Sequence, residues 1–277
     1  MLKAASLMRR EVLALAVAMS LLAAGCSRLE RLSIVKPSAE RGDWTQVAEE
    51  HDVSDKGRNA TPMAARQLLA SATEAYRQGK LDIATQQARQ ALKADPSLAD
   101  AHSLLAAIAS VRGDAAAAGK HHQQAVALAP AVGAYANNYG AWLCDNGRAA
   151  ESLAWFGKAV ADPNYPTRAA ALGNAGTCAQ RAGQTLQAES SWREALALDP
   201  GELQSLAGMA GLEFARGRYF EARAFAERWL AISPADAEGL QLAASIEQKL
   251  GDNVAAQRYL LRLQAIPPGS PTAPRAQ

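Results

Sequence analysis

Small apolar residues recur along this chain with a fixed phase. Ala84, Ala118, Ala188, Ala222 and Ala256 each stand five residues after a glycine, and Ala91, Ala125, Ala159 and Ala195 follow seven residues later. The glycines themselves, at 79, 113, 147, 183, 217 and 251, are spaced by 34, 34, 36, 34 and 34 residues. Prolines 62, 96, 130, 166, 200, 234 and 268 keep the same beat. A unit of this length with a glycine near its middle and a proline at its end reads as two helices joined by a tight turn. The small residues let the pair approach closely, and the proline stops the second helix. One such hairpin cannot bury its apolar face alone, so the units must stack. The pattern predicts an all-α solenoid of six helix-turn-helix units over residues 61–268, built to hold a partner.

The period and the glycine, alanine and proline positions resemble tetratricopeptide (TPR) repeats. That resemblance implies a right-handed superhelix whose concave face is lined by positions 2, 5, 9, 12 and 13 of each first helix. In the first unit these are Arg66, Leu69, Thr73, Tyr76 and Arg77; in the second, Asp100, Ser103, Ala107, Ser110 and Val111. The third contributes Ala134, Asn137, Ala141, Cys144 and Asp145. The lysines and asparagines that clamp a peptide carboxylate in chaperone-binding relatives are mostly missing. An apolar or extended peptide is the better match, with Leu69, Tyr76 and Val111 as apolar contacts, Thr73 between them and Arg66 and Arg77 at the rim. Packing of the same side chains against a neighbouring segment is the alternative reading.

The N-terminus adds a location. Lys3, Arg9 and Arg10 precede an apolar run from Val12 to Ala24 that is short for a membrane span, so residues 1–25 read as a signal peptide. Leu22-Ala23-Ala24-Gly25-Cys26 resembles the lipobox of bacterial lipoproteins, although Ala23 stands where leucine is commoner. The resemblance implies lipid attachment at Cys26, and Ser27, not being aspartate, implies an outer-membrane destination. Residues 26–60 are polar and mixed in charge and read as a flexible tether, with a span of about 30 Å. Trp44 and Val47 mark one possible short helix in it. The proline-rich residues 269–277 read as a disordered tail.

Charge and chemistry exclude more than they suggest. The formal charge of the whole chain is +2, but three Lys or Arg and a single Glu belong to residues 1–25, and the remainder is neutral. Nothing in it forms a basic footprint for nucleic acid. The four histidines, His51, His102, His121 and His122, show no i, i+4 spacing and no cysteine partner, so no metal or other cofactor is expected. Phosphate loops and nucleophile elbows are missing as well, and the chain reads as a non-enzyme. Trp142, Trp155, Trp192 and Trp229 read as core.

Cys144 and Cys178 fall near the ends of the first helices of consecutive units. Neighbouring first helices lie side by side, so the two thiols can reach disulfide distance in an oxidising compartment. The alternative is a pair of small buried residues filling space between helices.

The third and fourth units carry a more specific signature: Asn137-Asn138-Tyr139-Gly140, Leu143-Cys144, Gly147-Arg148, Phe156, Asp162-Pro163, Tyr165-Pro166-Thr167 and Asn174-Ala175-Gly176 with Cys178. This set resembles the PilF/PilW family of type IV pilus biogenesis proteins. The resemblance implies a monomeric, outer-membrane lipoprotein that binds secretin subunits and promotes their localisation or assembly. A periplasmic scaffold for another envelope machine, such as a tight-adherence pilus or a peptidoglycan-hydrolase adaptor, is the alternative. Asn138 and Asn174 occupy equivalent positions and are expected to bond nearby backbone. Tyr165-Pro166 is expected either to stiffen its junction or to bulge as a contact loop.

Overall fold

A computed structural model describes residues 62–267. The expected signal peptide, Cys26, the tether with Trp44, and the tail of residues 269–277 lie outside the described residues.

Twelve α-helices and no strand are found among the described residues. They pair in order: α1 (Pro62–Arg77) with α2 (Leu81–Ala94), α3 (Ala99–Val111) with α4 (Ala115–Leu128), and α5 (Gly133–Asp145) with α6 (Ala149–Ala161). The second half repeats this with α7 (Arg168–Arg181) and α8 (Thr185–Leu198), α9 (Leu203–Ala215) and α10 (Tyr219–Ile232), and α11 (Ala237–Leu250) and α12 (Asn253–Gln264). Each second helix also packs on the first helix of the next unit, which gives a solenoid.

The turn inside each hairpin is the same device six times. The phase-setting glycines all have positive φ, from 72° at Gly79 to 82° at Gly251, a conformation that side chains with a Cβ resist. Reversal there lets the next N–H reach back to the helix. Lys80 donates to the Ala75 carbonyl and Gln184 to that of Ala179, at 2.9 and 2.8 Å. These bonds satisfy carbonyls that the helix end would orphan.

The alanine phase is the hairpin interface. Ala84, Ala118, Ala188 and Ala222 are wholly buried and Ala256 nearly so. In the third unit the same position is Ser152, equally buried, whose hydroxyl donates to the Ala149 carbonyl at 2.6 Å. Where the second alanine is replaced by Trp229, the facing helix α11 carries Gly239. A Cβ there would sit 3.2 Å from the indole. Trp192 on α8 is slotted between two glycines, Gly176 on α7 and Gly208 on α9, where a Cβ would fall 2.3 Å from the ring in both cases. Trp192 and Trp229 are buried, whereas Trp142 and Trp155 are half-buried and enclose Tyr139, at centroid distances of 5.9 and 4.9 Å.

The irregular interval lies at the junction that holds Tyr165-Pro166-Thr167, but the proline that closes the helix is not the one on the beat. Helix α6 ends at Ala161, so Pro163, and not Pro166, closes the third unit. The extra length lies in the connection 162–167, six residues where the other units use four. Asp162 anchors it by accepting from the N–H groups of Gly133 and Asn164, at 2.8 and 2.9 Å. Tyr165 packs inward on Ala136, Ala159 and Ala171. Of the two expected roles, the contacts of Tyr165 are those of a stiffened junction.

Candidate functional site

The faces of α1 and α3 that turn toward each other form an open groove of about 470 Å³. Leu69, Thr73, Tyr76 and Arg77 line one wall, at helical spacing along a single face of α1. Asp100, Ser103, Leu104 and Ala107 line the other. The Thr73 hydroxyl donates to the Leu69 carbonyl at 2.9 Å, which satisfies its donor within the helix. Leu69 and Tyr76 remain half-buried. The lining sets Leu69, Tyr76, Leu104 and Ala107 among the Thr73 and Ser103 hydroxyls, with a guanidinium on one wall and a carboxylate on the other.

Helix α5 meets the groove wall through Tyr135. Tyr135 stands at the place that Ala101, Ala171, Ser205 and Gly239 hold in other units, twelve residues before the turn glycine. It is half-buried and packs beside Val126, Tyr139 and Leu143. The Tyr135 hydroxyl donates to Asp100 and orients that carboxylate. Burial and this bond both push the phenol pKa upward.

Four of the six residues expected from sequence are brought together here. The other two, Arg66 and Val111, are exposed and do not line the groove; Val111 is 55% exposed. They lie about one helical turn outside it, at its two ends. Leu104, at none of the five nominal positions, does line it. In the third unit two nominal groove residues serve the helix interface instead. Asn137 and Cys144 are each about 95% buried between α5 and α7.

That interface is joined by a disulfide and by side-chain hydrogen bonds. Cys144 and Cys178 form a disulfide, with Cα atoms 5.8 Å apart, beside Phe156 and Ala175. Further along, Asn174 donates to the Asn137 side-chain oxygen at 3.0 Å. This corrects the expectation of backbone bonding: the asparagines bond each other, and the bond joins Asn174 to Asn137, not to its positional equivalent Asn138. Asn138 instead lies 3.5 Å from the Asn137 amide. Arg181 bridges the same helices, donating to Asp145 at 2.7 Å and lying 3.5 Å from Cys144 Sγ.

The structure also assembles a feature that sequence spacing did not show. His102 on α3 and His121 on α4 meet with their Nδ1 atoms 3.1 Å apart. Burial lowers both pKa values, and pushes the neighbouring His122 down to about 4. The pair was legible only through repeat phase: one lies eleven residues before the turn glycine, the other eight after it, positions that face each other in a hairpin.

No protein-family model matches the chain. The type IV pilus assembly protein PilF of Pseudomonas aeruginosa is 27% identical over 217 residues, spanning 78% of this chain and 85% of PilF. The crystal structure of PilW, described as a widely conserved type IV pilus biogenesis factor, superposes with a TM-score of 0.67 at 31% identity. The match covers 74% of this chain and 94% of PilW. The solved structure of P. aeruginosa PilF gives a TM-score of 0.69 at 25% identity, over 75% of this chain and 94% of that one. The class is that of the TPR solenoids. Within it, the chain belongs to the PilF/PilW family of type IV pilus biogenesis factors.

Proposed function

We propose that this chain is a non-enzymatic assembly factor, anchored in the outer membrane by a lipid on Cys26, that binds secretin subunits and promotes their assembly in type IV pilus biogenesis. Membership of the PilF/PilW family supports the process. The observation that carries the binding role is the groove between α1 and α3. Its Leu69, Tyr76, Leu104 and Ala107 suit one or two apolar side chains of an extended or helical segment, and Arg77 and Asp100 flank them with opposite charge. Nothing in the lining is arranged to break or form a bond.

Deletion of the gene, followed by a gel of heat-resistant secretin multimers, tests the function. Loss of the multimers is expected, and unchanged multimers with normal twitching overturn it. Binding of purified secretin to Leu69→Asp and Tyr76→Asp variants tests the site. Each should weaken binding at least tenfold while leaving the helical circular dichroism intact. Unaltered affinity would place the contact elsewhere.

A further inference from the structure

We propose that His102 and His121 form a two-imidazole site for a late first-row divalent cation of the zinc or copper type. The side chains come from different helices and are nineteen residues apart in sequence, yet their Nδ1 atoms face each other at 3.1 Å. At ordinary metal–nitrogen distances, two nitrogens with this separation subtend about 100° at a shared ion, between octahedral and tetrahedral values. The rings are inclined by 39°. Aiming both lone pairs at one ion needs only rotation about χ2, a soft torsion. In the metal-free pair one Nδ1 carries the proton shared with the other. On binding, that ring takes the Nε2–H tautomer, so the exchange consumes no oxidant and leaves both imidazoles neutral.

Among the described residues no three His, Cys, Asp or Glu side chains gather at one point. The protein therefore supplies two ligands and water the rest. Such a site selects cations with strong imidazole affinity, Cu²⁺ and Zn²⁺, over Mg²⁺ or Ca²⁺, which want oxygen. Arg89 on α2 lies near His121, and its charge opposes the ion. A bound cation would clamp α3 to α4 at His102, which lies on α3 between Asp100 and Ser103 of the groove wall.

Calorimetric titration of tag-free protein with ZnCl₂ and CuCl₂ tests the site. One equivalent should bind, with copper tighter. His102→Ala and His121→Ala should each weaken binding at least tenfold, and His51→Ala should not. Should an alanine variant unfold, the double variant H102L/H121F replaces both residues with those the fifth unit carries in the same phase, Leu206 and Phe225. It should fold and lose the metal. Arg89→Gln should tighten binding. Absence of binding by the parent protein, or unaltered binding by H102L/H121F, overturns the proposal.

Discussion

Asn174 on α7 donates its side-chain amide to the carbonyl oxygen of Asn137 on α5 across 3.0 Å, with both residues about 95% buried. The bond is a buried polar contact in a helix interface that also holds the Cys144–Cys178 disulfide and, at its exposed edge, the Arg181–Asp145 ion pair. Removing one partner leaves a buried polar group without water or a replacement, at a cost of about 1–3 kcal/mol. Asn174→Ala should therefore lower stability in urea melts by that amount. The double variant with Asn137→Ala should cost less than the sum of the two single changes.

The disulfide on the same interface spans 34 residues. Cross-linking a loop of that length restricts the unfolded chain by about 3–4 kcal/mol in the chain-entropy model. Alkylation without reduction followed by mass spectrometry should find neither thiol labelled. Reduction should shift the urea midpoint downward, and Cys144→Ser/Cys178→Ser should melt like the reduced protein. Two labelled thiols in the unreduced protein would refute the bond.

Two glycines of α9 make opposite predictions. A methyl at Gly208 would collide with Trp192 at 2.3 Å, whereas one at Gly211 meets nothing within 4 Å. Gly208→Ala should destabilise by about 1–3 kcal/mol through overpacking. Gly211→Ala should stabilise by about 0.5–1 kcal/mol, because alanine is the better helix former. Thermal melts of the two variants read the contrast directly.

Glu189 lies between Arg216 and Arg193, at 2.6 and 2.9 Å. Hydrogen bonds from these arginines, that of Arg216 foremost, hold its carboxyl pKa at about 2, down from an ordinary 4.5. A pKa depressed on folding stabilises the protein above the unfolded value and stops doing so as pH falls through the folded one. Stability should fall between pH 4.5 and about 2. Glu189→Gln should show a shallower decline in that window; an identical slope would remove Glu189 from the account.

The groove gives a paired test within one surface. Tyr76 lines it and Val111 does not, although both were expected to. Tyr76→Asp should weaken secretin binding, and Val111→Asp should leave it within about twofold. Equal losses would mean that the contact extends past the end of α3.

The helical repeat was legible because its cause is local. A left-handed glycine at one end of a turn and small residues at two helix positions suffice to make a hairpin, whatever partner it meets. Pro166 misled for the opposite reason: the sequence showed a proline near the beat, but which proline ends α6 depended on how Asp162 and Tyr165 pack over Gly133. The groove was partly legible. Leu69, Thr73, Tyr76 and Arg77 follow from the face of a single helix, while Leu104 and the exclusion of Val111 depend on the angle at which α3 meets α1.

From the sequence alone came the all-α solenoid, the hairpin phase and the candidate cysteine pair, since each depends on spacing along one helix or on strict repetition of a unit. Tertiary structure decided which equivalent positions actually touch. Asn137 and Cys144 pack between α5 and α7, while Tyr135 of α5 bonds Asp100 on the groove wall. His102 and His121 meet only because two helices of one hairpin face each other there. Packing of side chains along a whole interface sets the angle and distance between two helices. That distance decides whether the groups on them bond to each other or remain open to a partner.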